Sequence, residues 1–307
     1  MASHDARRSG SPAPQSSSHD KRWLFAAAAA VVVLVISYVL AVLTQGGQAL
    51  ENAALRGADQ ANSEELSAAS QALGDITVVS LAVAATVVAL IGLLRRRIDL
   101  AIAGVGVIVL GQVITQTLKR FVLPRPALVD VTGDFVHNSF PSGHTTIAMT
   151  VLFAALIVVP YRWRGVTLFL TLTWAVGIGA FTVTAKWHRL SDTLGADAVA
   201  LLCACLASWW LARKGVIVPY TGPTRRGRIV LGVLLSCAAV GFLALGAFLW
   251  MVPTLRGVDY SMPNEATDYT AYLGAHALAV GFTAVTALQF WALWHRLETR
   301  GADPRTT

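Results

Sequence analysis

Charged residues are scarce in this chain: Asp, Glu, Lys and Arg make up 13% of the 307 residues, and 17 acidic residues are outnumbered by 24 basic ones. The three cysteines, Cys203, Cys205 and Cys237, lie inside apolar runs, where a thiol packs as a small hydrophobe. No Cys/His spacing has the form of a zinc site, and the carboxylates are nowhere bunched as Mg²⁺ sites require. No segments alternate apolar and polar residues in the manner of membrane β-barrel strands. Nor do aromatic and basic residues interleave on a polar segment, as a nucleic-acid surface needs. The net charge of +7 therefore has another origin.

Apolar residues are abundant, at 55%, and they come in blocks of about twenty rather than at amphipathic spacing, the signature of a polytopic helical membrane protein. The fold class this implies is all-α, a transmembrane helical bundle. Eight spans are expected, at 23–44, 76–94, 99–118, 145–160, 166–186, 193–212, 229–252 and 271–294. Basic loops are retained on the cytoplasmic side. With the N-terminus inside, the inner segments collect Arg7, Arg8, Lys21 and Arg22, then Arg95, Arg96 and Arg97, then Arg162 and Arg164, then Arg213, Lys214, Arg225, Arg226 and Arg228, and last Arg296, Arg300 and Arg305. These are 17 of the 24 basic residues, so the excess charge reads as a topology and lipid-headgroup effect. Of the other seven, Lys119, Arg120, Arg125, Lys186 and Arg189 fall in segments that carry chemistry, and Arg56 and Arg256 do not. Both termini are expected in the cytoplasm of a cell whose cytoplasmic membrane holds the protein.

Residues 1–20 are Ser-rich without apolar period, which predicts a disordered tail. The run after Lys21-Arg22 is longer than a signal h-region, favouring a retained signal anchor. Segment 45–74, with Glu51, Asp59, Glu64 and Glu65, is polar and Ala-rich and allows a short outer surface helix. The basic linker 213–228 divides a six-helix core, 21–212, from a C-terminal helix pair, 229–294, followed by a cytoplasmic tail, 295–307.

Three segments at span ends carry titratable or ligand-binding residues. In the first, Pro124 and Pro126 end the third span and extend the chain beyond it. Lys119 and Arg125 then point at one spot, a point charge and a planar fork suited to phosphate oxygens; snorkelling at a membrane edge is the plain alternative. In the second, Pro141-Ser142-Gly143-His144 precedes the fourth span. Gly143 permits close backbone approach, amides at a helix start bind anions, and His144 is placed to give a proton to a departing oxygen. A simple turn and cap would also account for these residues. In the third, His188 and Asp192 are four apart and share a helix face, so Asp192 can fix the tautomer that exposes the other ring nitrogen as nucleophile. An interfacial ion pair is the alternative there. Between His144 and His188 the chain crosses inward and back, so all three segments lie on one side of the bilayer.

Taken together, these residues resemble the type 2 phosphatidic acid phosphatase family of integral-membrane lipid phosphatases, over about residues 22–212. The resemblance implies His188 as nucleophile, Asp192 as its orienting partner, His144 as acid, and Lys119, Arg125, Ser142 and Gly143 as phosphate ligands. Two departures stand out. Five residues separate Lys119 from Arg125 where the family has six, and Phe181-Thr182 occupies the place of the family's Ser-Arg. Lys186, Arg189 or Arg120 would have to supply the missing cation, Lys186 being entered among the phosphate ligands. The activity implied is metal-independent, cofactor-free hydrolysis of a lipid-linked phosphate or pyrophosphate, such as a polyprenyl one, at the outer face. A phosphotransferase and a non-catalytic lipid-phosphate binder or transporter are the rivals, and no nucleic-acid partner is expected. Outside these segments, His137 and His276 read as solvated and packed histidines, and Trp209, Trp210, Trp250, Trp291 and Trp294 as interfacial anchors.

Overall fold

A computed structural model describes residues 18–130, 137–223 and 226–300. The readings for residues 1–17 and 301–307 of the two tails, and for Arg225 in the linker, lie outside the described residues. Each apolar run is a helix: α1 (Ser18–Ser37), α4 (Val78–Leu94), α5 (Ile98–Thr117), α6 (Gly143–Val158), α7 (Arg164–Thr184), α8 (Leu190–Arg213), α9 (Arg226–Leu255) and α10 (Glu265–Leu293). Between α1 and α4 the polar segment forms α2 (Gln45–Gly57) and α3 (Ser63–Gly74). Polar side chains start these helices as their sequence suggests, Thr44 accepting from the Gly47 amide and Asn62 from that of Glu65, the usual cap chemistry. The fold is an all-α polytopic bundle.

Six helices among the described residues are long and apolar enough to cross a membrane, or seven if the bent pair of α3 and α4 is one span, against eight spans expected. The two that fall short have physical reasons. Helix α6, with 16 residues, rises only about 24 Å, less than the roughly 30 Å of a bilayer core. It lies at the bundle centre against α5, α7 and α8, with Met149, Leu152, Phe153, Leu156 and Ile157 buried, and a helix sheathed in protein need not match lipid thickness. Helix α4 begins anew at a capping box between Thr77 and Ser80 and forms with α3 a pair bent by 61°.

The C-terminal helices are not a separate packing unit, so the division at 213–228 is a boundary of sequence only. Small residues of α10, Ala271, Ala275 and Ala279, are buried, and α10 lies against α2, α7 and α8, while Gly274 makes room for Trp250 of α9. Helix α9 packs on α10 and turns Val233, Leu234, Phe248 and Met251 outward. At one end of the bundle, arginines tie the chain ends together. Arg95 donates to Val158 O and Thr299 Oγ1, both at 2.7 Å, and Arg164 donates to Leu156 O at 2.9 Å and Leu297 O at 2.7 Å. Linker and tail meet there as a two-stranded antiparallel ribbon, β1 (Ile217–Pro219) with β2 (Leu297–Thr299). Trp294 is 0% exposed, packed on Trp23 at 5.5 Å and under the Arg164 guanidinium at 4.2 Å. It is a core residue, not an interfacial anchor, because the ribbon and Arg164 cover it. The three motif segments gather at the opposite end.

Candidate active site

The first segment is fixed from the N-terminal side. After α5 the chain makes one π-helical turn, Leu118–Val122, that carries Lys119, and Pro124 and Pro126 then bar further helix. The extended piece is strapped down by side chains: the Tyr38 hydroxyl donates to Pro124 O, and Gln48 Nε2 donates to Val42 O and Pro126 O, each at 2.7 Å. Asn138 Nδ2 donates to Lys119 O at 2.9 Å and Leu123 O at 2.6 Å. The Arg125 side chain is only 4% exposed and lies 3.7 Å from a Glu51 carboxylate oxygen. Both its terminal nitrogens lack a hydrogen-bond acceptor among the described residues. A buried guanidinium with open donors is costly, and it is shaped for a phosphate.

The second segment begins α6. Ser142 is its N-cap, the hydroxyl accepting from the Thr145 amide at 3.3 Å. The Ser142 amide donates to Asp192 O at 2.9 Å, so that amide is not available to a phosphate. The reason is tertiary: the cap packs directly on the first turn of α8. The amides of Gly143 and His144, first in the helix, have no carbonyl a turn behind them to bond within it. The His144 ring sits edge-on to Trp187 at 5.2 Å and 6.1 Å from the His188 ring, and its Nδ1 is buried without a hydrogen-bond partner among the described residues.

The third segment is a tight turn into α8. Thr182 O accepts from the amides of Trp187 and His188, both at 3.0 Å, and Lys186 takes a positive φ of 61° there. His188 Nδ1 lies 3.2 Å from Asp192 Oδ2, which also accepts from the Arg189 amide at 2.9 Å. A proton on Nδ1 is held by this contact, and Nε2 is left with its lone pair. Asp192 is 0% exposed and His188 8%, so the pair is inside the protein. The charges of Lys119 and Asp192 also interact across the site. The structure thus brings together His188, Asp192, His144 and Lys119, and it places Arg125 beside α8 through Glu51.

Thr182 takes no part: its hydroxyl donates to Gly179 O at 2.7 Å and lies 3.3 Å from that of Thr193. Among the three possible replacements for the missing cation, Arg120 is exposed and Lys186 forms an ion pair with Asp59. Arg189 is buried, with its guanidinium against Ser139 Oγ at 3.2 Å and Asn52 Oδ1 at 3.4 Å. A cavity of about 660 Å³ opens over this region, its lining including polar His137, Ser139, Lys186, His188 and Arg189 and apolar Leu55, Leu66 and Trp187. His276, by contrast, packs against Tyr272 at 6.0 Å, away from the cavity lining.

Sequence reasoning missed Glu51 and Asn52. Glu51 is 3% exposed, and its Oε1 accepts from the Ser191 amide at 2.8 Å. Burial, and after it the charge of Asp192, hold its carboxyl above the ordinary glutamate range, against the pull of Arg125. A signal was present in the chain: Gln48, Glu51, Asn52 and Leu55 recur at the spacing of one helix face. All but Leu55 are polar, and all four are buried.

No curated protein and no solved structure matches the chain. A family model described as the PAP2 superfamily matches residues 99–215, a stretch that runs from α5 to just past α8 and encloses Lys119, Arg125, Ser142, Gly143, His144, His188 and Asp192. By that match the segment from α5 to just past α8, which carries every motif residue, is similar to the PAP2 superfamily.

Proposed function

We propose that the protein is a metal-independent phosphatase of a lipid-linked phosphate or pyrophosphate, acting at the outer face of a cytoplasmic membrane with both termini inside. Phosphatase chemistry on phosphate esters is what the superfamily implies. The observation that carries the finer reading is the pairing of His188 Nδ1 with Asp192 at 3.2 Å, with His144 ring to ring at 6.1 Å.

In this mechanism His188 Nε2 attacks phosphorus in line with the scissile bond. Its electron pair forms the P–N bond, the P–O bond breaks, and the leaving oxygen takes a proton from His144. His144 then removes a proton from water as that oxygen attacks phosphorus, and the P–N bond breaks to restore His188. Lys119, Arg125 and the amides of Gly143 and His144 balance the charge on the equatorial oxygens. Arg189 takes the place of the absent third-segment arginine, and Lys186, paired with Asp59, is set aside. The apolar lining residues Leu55, Leu66 and Trp187 suit the first part of a lipid tail, which enters sideways from the bilayer.

The test is phosphate release by purified protein from phosphatidate, phosphatidylglycerophosphate and polyprenyl phosphate and pyrophosphate, with product analysis in the presence of acceptor alcohols. Release to water at least as fast as transfer supports the reading. A phosphorylated alcohol as main product makes the protein a phosphotransferase, and binding without turnover makes it a lipid-phosphate binder.

A further inference from the structure

The matched family segment ends at residue 215 and begins at 99, yet a side chain from outside it lies between two of the motif segments. We propose that Glu51, on α2, is a positioning residue of the phosphate site: it clamps the Arg125 guanidinium to the first turn of α8 and so sets the place of Arg125 relative to His188. The assay below rests on the phosphatase reading; the binding arm does not.

The two oxygens of Glu51 are divided between the segments. Oε1 accepts from the Ser191 amide at 2.8 Å, three residues after His188, and Oε2 lies 3.7 Å from Arg125. At that distance the second contact is an ion pair without a good hydrogen bond, so it orients Arg125 without occupying its donors, which stay open. The charge is the telling part. A cap for the Ser191 amide needs only a neutral acceptor such as Gln or Asn, and burying a carboxylate against arginine gains little stability over an apolar packing. Oε2 itself has no hydrogen-bond partner among the described residues, so its role in the fold alone is weak, whereas holding Arg125 on its proline-flanked extended segment requires a negative charge there. The charged groups acting on Glu51 are Arg125 from that segment and Arg189 and Asp192 at the start of α8. Helix α2 is in turn anchored to α10, Arg56 meeting Asp268 through two bonds of 2.8 Å, so the C-terminal helices support the site through this residue.

The experiment is a double-mutant cycle on kcat/KM with a soluble aryl phosphate, using full-length protein whose folding is checked by its thermal midpoint. Glu51→Gln should lower kcat/KM by about 10- to 100-fold, the scale of a misplaced catalytic group. In an Arg125→Ala background the same change should cost less than about 3-fold, because the interaction it removes is already broken. Glu51→Asp keeps the charge but withdraws it by about 1.5 Å, one C–C bond, and should lose activity too; it carries the cycle if the Gln variant does not fold. Equal losses in both backgrounds, or a folded Glu51→Gln with full activity, overturn the proposal. If the wild-type protein releases no phosphate, the phosphatase reading fails by itself, and the cycle is read on orthovanadate binding by calorimetry. There Glu51→Gln should weaken binding only when Arg125 is present. Loss of a neighbouring negative charge alone would tighten anion binding, and tightening would refute the positioning role.

Discussion

Gly57→Ala, a change of one methyl group on a helix that carries none of the motif residues, should reduce turnover sharply. Gly57 ends α2 where it crosses α10, and a Cβ there would lie 1.9 Å from the Asp268 carbonyl oxygen, 2.4 Å from its carbon and 2.8 Å from Tyr272 Cβ. Two of these are backbone atoms of a long buried helix, and the ion pair of Arg56 with Asp268 holds the crossing together, so no flexible side chain can give way. Side-chain carbons do not approach other atoms within 3.0 Å, so α2 must retreat by roughly 1 Å, at an overpacking cost of about 1–3 kcal/mol. Glu51 and Asn52 ride on the same rigid helix and move with it, out of register with Arg125, Ser191 and Arg189. Misplacement of about 1 Å costs catalysis up to about 10²-fold, so kcat/KM should fall by about 10- to 100-fold while most of the protein stays folded. The assay is phosphate release per folded protein, with the thermal midpoint measured alongside. Gly46→Ala, on the same helix with nothing within 4 Å of the added carbon, serves as control and should keep full activity. A folded Gly57→Ala protein with unchanged kcat/KM would show that α2 does not set the geometry of the site.

Other outcomes follow from the same site. His144→Ala should lose about 10²–10⁴ in rate on a lipid phosphate, the scale of general acid catalysis, but much less in the phosphorylation step with an activated aryl phosphate; equal losses would remove His144 from the acid role. Arg189→Ala should cost about 10- to 100-fold in kcat/KM, as loss of a charged hydrogen bond of about 1.5–3 kcal/mol does, while Lys186→Ala stays within about 3-fold; the reverse order would return the third cation to Lys186. A cysteine at Ser261, in the loop that follows α9, should react with a membrane-impermeant maleimide in intact cells, and one at Gly227, at the start of α9, should not. Labelling at Gly227 alone would invert the proposed orientation.

How far the sequence alone carries depends on the range of the interaction. The helices were legible because a run of about twenty apolar residues leaves the backbone no other way to satisfy its polar groups in lipid. The shortness of α6 was not legible, because composition cannot tell a helix sheathed by lipid from one sheathed by protein. His188 with Asp192 was legible from an i, i+4 spacing. The contacts that complete the site are not local: Ser142 spends its amide on Asp192 fifty positions away, and Glu51 and Asn52 meet Ser191 and Arg189 across 140 and 137 positions. Trp294 looked like an anchor for the same reason, since Arg164, which covers it, comes from another helix. The buried polar stripe Gln48, Glu51 and Asn52 was the one local trace of the part that α2 plays in the site, and its meaning lies in residues that only the fold brings near.

The central claim is that His188 forms the covalent bond to phosphorus, and rapid-quench trapping with a radiolabelled phosphate ester tests it most directly. Wild-type protein should carry a transient label that is stable to base, labile to acid and located on the peptide containing His188, and the label should accumulate in His144→Ala, where hydrolysis lacks its base. A label that persists in His188→Ala, or steady turnover by that variant, would contradict the account.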